Sequence, residues 1–310
     1  MRYSTLLSGL LAVTLLGGCA NTTSEEVVKE ETSLGEKSKT PNEFKKYWNQ
    51  GRAEITSYAL KQARYGEIHS GTAVMIFVTE PFSPELQVKP NKSSKEDVSV
   101  LKLNFSKKFI TGIYPYSMMT SSFVPINYLS EHAMKVTTTS QEWCGHTFTQ
   151  LNNRKNKFVI HSFSYFEDEG DQEVTIDEAW LEDEVWNKIR LNPEILPIGN
   201  VQMVPSLFYI RLRHKETKAY VAETSIKELN DSLSVYQIVY PELERELAIT
   251  FQNSFPYEIE SWKESYVSGA GDNAKMLSTE GVKMNRILSD YWNENGVNDT
   301  ESRKTLFLNK

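Results

Sequence analysis

Between residues 53 and 266 the chain returns repeatedly to one pattern, short runs in which apolar and polar residues alternate with a period of two. Successive side chains of an extended backbone point to opposite faces, so such runs predict strands with one covered face. They fall at 53–65, 72–79, 98–105, 134–143, 146–152 and 158–166, then at 207–213, 219–226, 233–240, 246–251 and 257–266. His69-Ser70-Gly71 and the polar stretch at 152–157, Asn-Asn-Arg-Lys-Asn-Lys, predict hairpin connections between neighbouring runs. Helical patterning interrupts them in three places. Residues 42–50 carry Phe44, Tyr47 and Trp48 at helical spacing; 175–190 opens with a Thr-Ile-Asp-Glu capping box and aligns Leu181, Val185 and Ile189; 282–292 is the third.

With no βαβ rhythm, these elements predict an α+β fold, predominantly antiparallel β, curved or half-barrel-like, with about three short helices. The best candidate boundary, 192–204 with Pro193, Pro197 and Gly199, has no low-complexity linker around it. It is read as a loop inside one long, curved sheet, and 42–310 as a single β-rich domain. No internal repeat recurs at a fixed period.

The N-terminus reads differently. Residues 1–18 carry one positive charge, Arg2, then an apolar core from Leu6 to Leu16 and small residues before Cys19. A bilayer needs about 20 apolar residues to be crossed by a helix, so this shorter core reads as an export signal. Leu16-Gly17-Gly18-Cys19 resembles the lipobox of bacterial lipoproteins. The resemblance implies cleavage before Cys19 and acylation of its sulfur and new amino group. Ala20 stands where lipoproteins kept in the inner membrane typically have Asp, which implies an outer-membrane anchor facing the periplasm. Residues 19–41 contain no aromatic side chain and many Glu, Lys, Ser and Thr. Such a stretch buries too little apolar surface to offset its ordering entropy, so it reads as a tether.

Composition removes several classes of function. A formal net charge of −7 argues against nucleic acid as a partner, because phosphate binding needs clustered cations. Two cysteines exclude a disulfide scaffold and a four-cysteine zinc site. The five histidines are scattered, and no HExxH, GxSxG or Walker A stretch occurs. Nothing indicates a cofactor or a resident metal. Gly269-Ala-Gly271-Asp-Asn-Ala274 matches G-x-G-x-x-A formally, but too little chain follows it for a nucleotide domain, so it reads as a loop.

Three segments carry candidate chemistry. In Glu142-Trp143-Cys144-Gly145-His146, an extended backbone would place Glu142, Cys144 and His146 on one face as thiol, base and orienting acid. The alternative is a buried cysteine packed beside Trp143 with a hydrogen-bonded His146. Residues 167–184 hold ten acids and no Lys or Arg, which reads as a solvated acidic face or as a calcium site lacking the EF-hand spacing. The stretch 111–122, with Tyr114, Tyr116, Met118 and Met119, fits either a pocket for a lipid or glycan or a packed connection between strands.

The segments AEITSYALKQARYGEI, GTAVMIFVTEPF, VLKLNFSKKFITGIYPYSMMTS, QEWCGHTFTQLNN and LPIGNVQMVPSLFYIRLRH together resemble an uncharacterised family of bacterial lipoproteins over residues 44–295. Its members are often labelled septum formation inhibitor Maf, which implies a cytoplasmic nucleotide pyrophosphatase. Enzymes of that type open with a strand and a Ser/Arg-containing phosphate loop, whereas this chain opens with an export signal, so no catalytic residue is carried over. The segment 245–262 is similar in cadence to envelope proteins whose curved antiparallel sheet wraps lipid-like ligands around helices. The leading expectation is a non-enzymatic lipoprotein that binds a lipid, a glycan or a protein of the envelope. An envelope hydrolase or thiol enzyme on Cys144 and His146 is the alternative, and the pyrophosphatase a further one.

Overall fold

The computed structural model describes residues 42–126 and 131–308. The expected export signal and tether, Cys19 included, lie outside the described residues. Helix α1 (Asn42–Trp48) leads into a meander of eight strands: β1 (Ala53–Arg64), β2 (Glu67–Phe82), β3 (Val98–Thr111), β4 (Tyr114–Pro125), β5 (Lys135–Glu142), β6 (Gly145–Asn153), β7 (Lys157–Phe163) and β8 (Gln172–Asp177). Then come β9 (Trp180–Leu181), α2 (Glu182–Leu191), β10 (Gly199–Val204) and α3 (Leu207–Arg213). A second meander follows: β11 (Tyr220–Asn230), β12 (Leu233–Tyr240), β13 (Arg245–Gln252), β14 (Ile259–Ser268) and β15 (Lys275–Ser289), before a terminal α4 (Glu301–Thr305).

All fifteen strands belong to one sheet, ordered β8-β7-β6-β5-β4-β3-β2-β1-β15-β14-β13-β12-β11-β10-β9. Neighbours pair antiparallel, except β9 with β10. The fold is thus predominantly antiparallel β, with four short helices among the described residues where the sequence pattern gave about three. The two meanders join where β1 pairs with β15, Ala53 opposite Ser289.

The sheet is unclosed but strongly curved, and two observations require it. β8 and β9 are its opposite edges, yet only residues 178–179 separate them. Three consecutive Cα steps span at most about 11 Å, so the edges approach each other there. Across the sheet, the rings of Phe105 on β3 and Trp262 on β14 lie 5.3 Å apart. Three strands intervene between them, and strands are spaced by about 4.8 Å, so only curvature brings the side chains together.

Helix α2 lies within the curve. It contacts Glu54 on β1, Ser122 on β4 and Arg245 on β13, and all ten of its residues are buried. The stripe of Leu181, Val185 and Ile189 is indeed buried, but so is the polar face, whose charged residues all meet polar partners. Arg190 grips Glu54 through both terminal nitrogens, and Glu182 accepts from Arg245 and from the Tyr240 hydroxyl at 2.9 Å. Asn187 donates to the Leu101 carbonyl at 2.8 Å.

Several expectations are corrected. The helix expected over 175–190 is shorter, because Thr175 to Asp177 pair with β7; its first turn is instead tied by Glu184, which accepts from the Leu181 N–H at 3.2 Å. Residues 207–213, expected as a strand, form α3. Ser206 caps it, accepting from Phe208 N–H, and the Asp183 carboxylate takes the Leu207 N–H at 2.9 Å. Residues 282–292, expected as a helix, continue β15 to Ser289, laddered to β1, with a partner on β14 only at Val282. His69-Ser70-Gly71 is not a turn but part of β2; Gly71 is there because a Cβ would stand 2.2 Å from the Lys108 carbonyl oxygen. The hairpin turns at Tyr65-Gly66, where both residues have positive φ. The connection around 154–156 is a hairpin as expected, and 269–274 is a loop between β14 and β15.

The antiparallel ladder sorts the connections between two ends of the sheet. α1 and the 83–97 loop lie at one end; the turns at 65–66, 112–113 and 143–144, the 164–171 loop and α3 lie at the other. Among the described residues no helix is long and apolar enough to cross a membrane.

Candidate cleft at the far end of the sheet

The inner row of β1 runs Tyr58, Leu60, Gln62, Arg64, so the period that buries two apolar side chains also carries a guanidinium inward at the strand's end. Arg64 donates to the Leu212 carbonyl at the end of α3 and, at 3.3 Å each, to the hydroxyls of Tyr65 and Tyr116. Those phenols are 2.7 Å from each other, and Tyr114 donates to Tyr65 at 3.2 Å. From the other side α3 projects Arg211, whose Nε donates to Thr147 Oγ1 at 3.1 Å and whose guanidinium lies 4.6 Å from the Phe166 ring centre. Its carboxylate neighbour is Glu142, at 4.0 Å.

Arg64 and Arg211 are each 8% exposed. Burial lowers the Arg211 pKa and the Arg64 charge adds to that, against the pull of Glu169 and Glu142. Three buried polar atoms here have no hydrogen-bond partner: Arg64 Nε, Arg211 Nη1 and Ser140 Oγ, the last on the residue paired with Thr147 across β5 and β6. Elsewhere in the interior the arginines are locked by two-pronged carboxylates. These two are not.

Arg211 lines a cleft of about 750 Å³ between α3, the inner faces of β6 and β7, and the 164–171 loop. Hydroxyls of Thr149, Ser162 and Ser164 line it beside the ring of Phe166, while Phe163 stacks on Phe148, its partner across β6 and β7, on the other face of the sheet. His214, in the left-handed conformation that ends α3, pairs with Glu169 across its rim.

The structure separates the residues of the expected thiol group. Trp143 and Cys144 form the two-residue turn between β5 and β6, because Glu142 pairs with Gly145 and Gln141 with His146. The backbone is therefore not extended across the motif. Glu142 turns inward toward Arg211, while His146 and Cys144 are exposed. The buried cysteine of the alternative reading is not found either. Glu142 accepts from the Cys144 N–H at 2.5 Å, and its carboxylate raises the thiol pKa. The side-chain partner of the Cys144 thiol is thus Glu142, while His146 lies on the opposite strand face from Glu142.

The stretch 111–122 divides by the same period. Tyr116 and Met118, each 1% exposed, point into the core, Tyr116 stacking on Phe109 at 4.7 Å. Met119 points outward, and Tyr114 stands at the mouth beside Trp143. The four do not share one concave apolar surface. The acidic run divides too: Glu167, Asp168, Asp171 and Glu173 are exposed, but Glu182, Asp183 and Glu184 are buried on α2 with partners, so a solvated face describes only the first part. Among the described residues no group of three or more His, Cys, Asp or Glu is placed to hold a metal ion.

Sequence reasoning missed Arg64 and Arg211. Strand parity holds the signal for Arg64, on the face of Tyr58 and Leu60; Arg211 was hidden because its segment was read as a strand.

No family model matches the chain, and no curated protein is similar to it. Among solved structures, a porin-like protein from Bacteroides uniformis ATCC 8492 is similar at 8% identity over 76% of this chain and 95% of that one, with a TM-score of 0.21, too slight a likeness to carry an argument.

Proposed function

We propose that this chain is a lipid-anchored protein of the outer membrane, held through Cys19, whose β-rich body binds an envelope component in the cleft beside Arg211 and does not transform it. The observation that carries the reading is the cleft with an incompletely paired, buried guanidinium on its wall. Clefts of roughly 300–1,000 Å³ with a few convergent polar groups are the usual form of ligand sites. Binding is favoured over catalysis because Cys144 sits on an exposed turn with its thiol pKa raised, and His146 points away from Glu142. The reading keeps the chain with the lipoproteins it resembles and transfers no pyrophosphatase residue to it.

Mass spectrometry of small molecules retained by the acylated protein, purified from membranes, tests this. A ligand is expected with the native chain and with Cys144→Ala, and its loss with Arg211→Gln and Phe166→Ala. Retention unchanged in both cleft variants, or no retained ligand at all, refutes the assignment. A cellular function abolished by Cys144→Ala would favour the thiol enzyme instead. For the anchor, Cys19→Ser should release the protein from the membrane fraction.

A further inference from the structure

We infer that four neighbouring hairpin tips at one end of the sheet form an apolar row that seats itself in the interface of a zwitterionic phospholipid bilayer. This goes beyond the cleft reading and does not depend on it.

Strand register builds the row. The tips at 65–66, 112–113 and 143–144 and the 164–171 loop close four successive hairpins of the first meander. Gly71 lies opposite Phe109 and Ser117 opposite Gln141, which displaces each of the first three apices about two residues from the next. That is about 7 Å along the strands for about 10 Å across them, a slope of about 35°. Strands of barrels tilt by roughly that much, so in a sheet this curved the apices come level. The tips also touch. Tyr114 donates to the Tyr65 hydroxyl at 3.2 Å, its ring centre is 6.3 Å from that of Trp143, and Tyr165 lies over Gly145.

These tips offer apolar surface to the outside. Ile113 is 81% exposed and Trp143 and Tyr165 are each 68% exposed, with Tyr65, Ile68 and Ile110 exposed beside them. Indoles and phenols are the side chains that settle at a bilayer interface, with an apolar body and a polar tip. The shape favours lipid over a protein partner. Ile113 projects beside Gly112, around which a Cβ would meet open space, so the tip is convex and free-standing. A fluid surface closes around such a tip, whereas a protein would have to present a matching hollow for each one. Charge selects the lipid. Glu67 is the one Asp, Glu, Lys or Arg within 65–68, 110–114 and 143–146, and the adjoining loop exposes Glu167, Asp168 and Asp171. Nothing there attracts anionic headgroups.

The anchor proposed at Cys19 is compatible with this contact. The body begins at Asn42, at the other end of the sheet, about 40 Å away along β1. The 23 residue steps from Cys19 to Asn42 reach about 80 Å when extended, so anchor and tips can share one bilayer.

Nitroxide quenching tests this. The full protein is labelled with a fluorophore at Cys144, on the third tip, and reconstituted into phosphatidylcholine vesicles bearing nitroxides at shallow acyl positions, with Cys144→Ala as the blank. Quenching is expected at Cys144 but not at Ser93→Cys in the Cys144→Ala chain, since Ser93 is exposed in the loop at the opposite end. Molar salt should leave the quenching intact, because apolar contact is not screened. Ile113→Asp, at a site too exposed to disturb the fold, should lower the ratio of seated to unseated tips at least about tenfold. Equal quenching at the two sites, quenching unchanged by Ile113→Asp, or quenching lost in molar salt overturns the inference. A Cys144 label untouched by nitroxide lipid yet shielded in native membranes assigns the tips to a protein instead. A single interfacial contact is reversible, so release of Cys19→Ser from washed membranes remains the separate test of the anchor.

Discussion

Glu54 on the first strand and Arg190 on the enclosed helix α2 form a two-pronged ion pair, Nη2 to Oε2 at 2.7 Å, with side chains 1% and 2% exposed. Tyr47 of α1 donates to the same carboxylate, and Arg286 of β15 stands 3.6 Å from it. One glutamate thus ties the enclosed helix to the seam between the meanders. Burial pushes its carboxyl pKa up, but Arg190, the hydrogen bonds and Arg286 hold it below the ordinary value. Glu54→Gln leaves Arg190 buried without its counter-charge and is expected to cost about 3–5 kcal/mol in denaturant unfolding. Because the folded pKa is depressed, the contribution of Glu54 is present above the carboxyl's unfolded pKa. It is lost as the pH falls through the folded value, so the gap between native and variant should narrow in acid.

Asp183 behaves in the opposite sense. Burial raises its pKa to about 7, against the hydrogen bonds from Leu207 N–H and Ser206, while Glu182 raises it further and Lys107 lowers it. A raised folded pKa means the native state holds a proton that the unfolded state releases. Stability should therefore fall between pH 4 and 7, by up to about 4 kcal/mol, and level off above that range. Asp183→Asn should flatten this window in urea melts recorded across pH. An unchanged slope in the variant would place the titration elsewhere.

Gly281 marks the closest approach inside the curve. A Cβ there would lie 2.1 Å from Cη2 of Trp262, a ring that also packs on Phe105, Trp186 and Tyr58. Gly281→Ala is expected to displace that indole and cost about 1–3 kcal/mol, read as a lowered melting temperature with altered tryptophan near-UV circular dichroism. Both signals unchanged would show that the ring yields freely.

Cys144 is exposed, yet its thiol should react slowly at neutral pH, because the Glu142 carboxylate opposes thiolate formation. Maleimide labelling against pH should show an apparent pKa above that of a small-molecule thiol, moving down in Glu142→Gln. Cys144→Ala should change stability by less than about 0.5 kcal/mol.

Period two made most of the sheet legible, since Val136, Thr138 and Ser140 all face inward while Thr137, Thr139 and Gln141 between them are more exposed. It failed where enclosure changes the usual pattern. α2 is buried all round, so its charged face, which looked destined for solvent, meets Glu54, Arg245 and His132 instead. α3 reads Leu-Phe-Tyr-Ile-Arg-Leu-Arg with strand-like residues, and the carboxylate capping it comes from Asp183 on another element. β15 looked helical because its segment from Val282 to Ser289, which ladders to β1, is mostly half-buried on both faces and so shows no period of two. The site was half visible for the same reasons. Of the residues the sequence singles out, Tyr116 meets Arg64, Glu142 stands by Arg211 and Tyr114 joins through Tyr65, in place of the pocket or thiol chemistry expected of them.

The pairing of β1 with β15 has a consequence for how the molecule assembles. During synthesis the first meander can zip up locally, hairpin by hairpin, but one flank of β1 stays unsatisfied until nearly the last residues arrive. Such distant pairing closes a large loop and slows folding. Until then the chain carries an open strand flank of the kind that recruits other chains, so a copy truncated before Lys275 should be sticky rather than merely short.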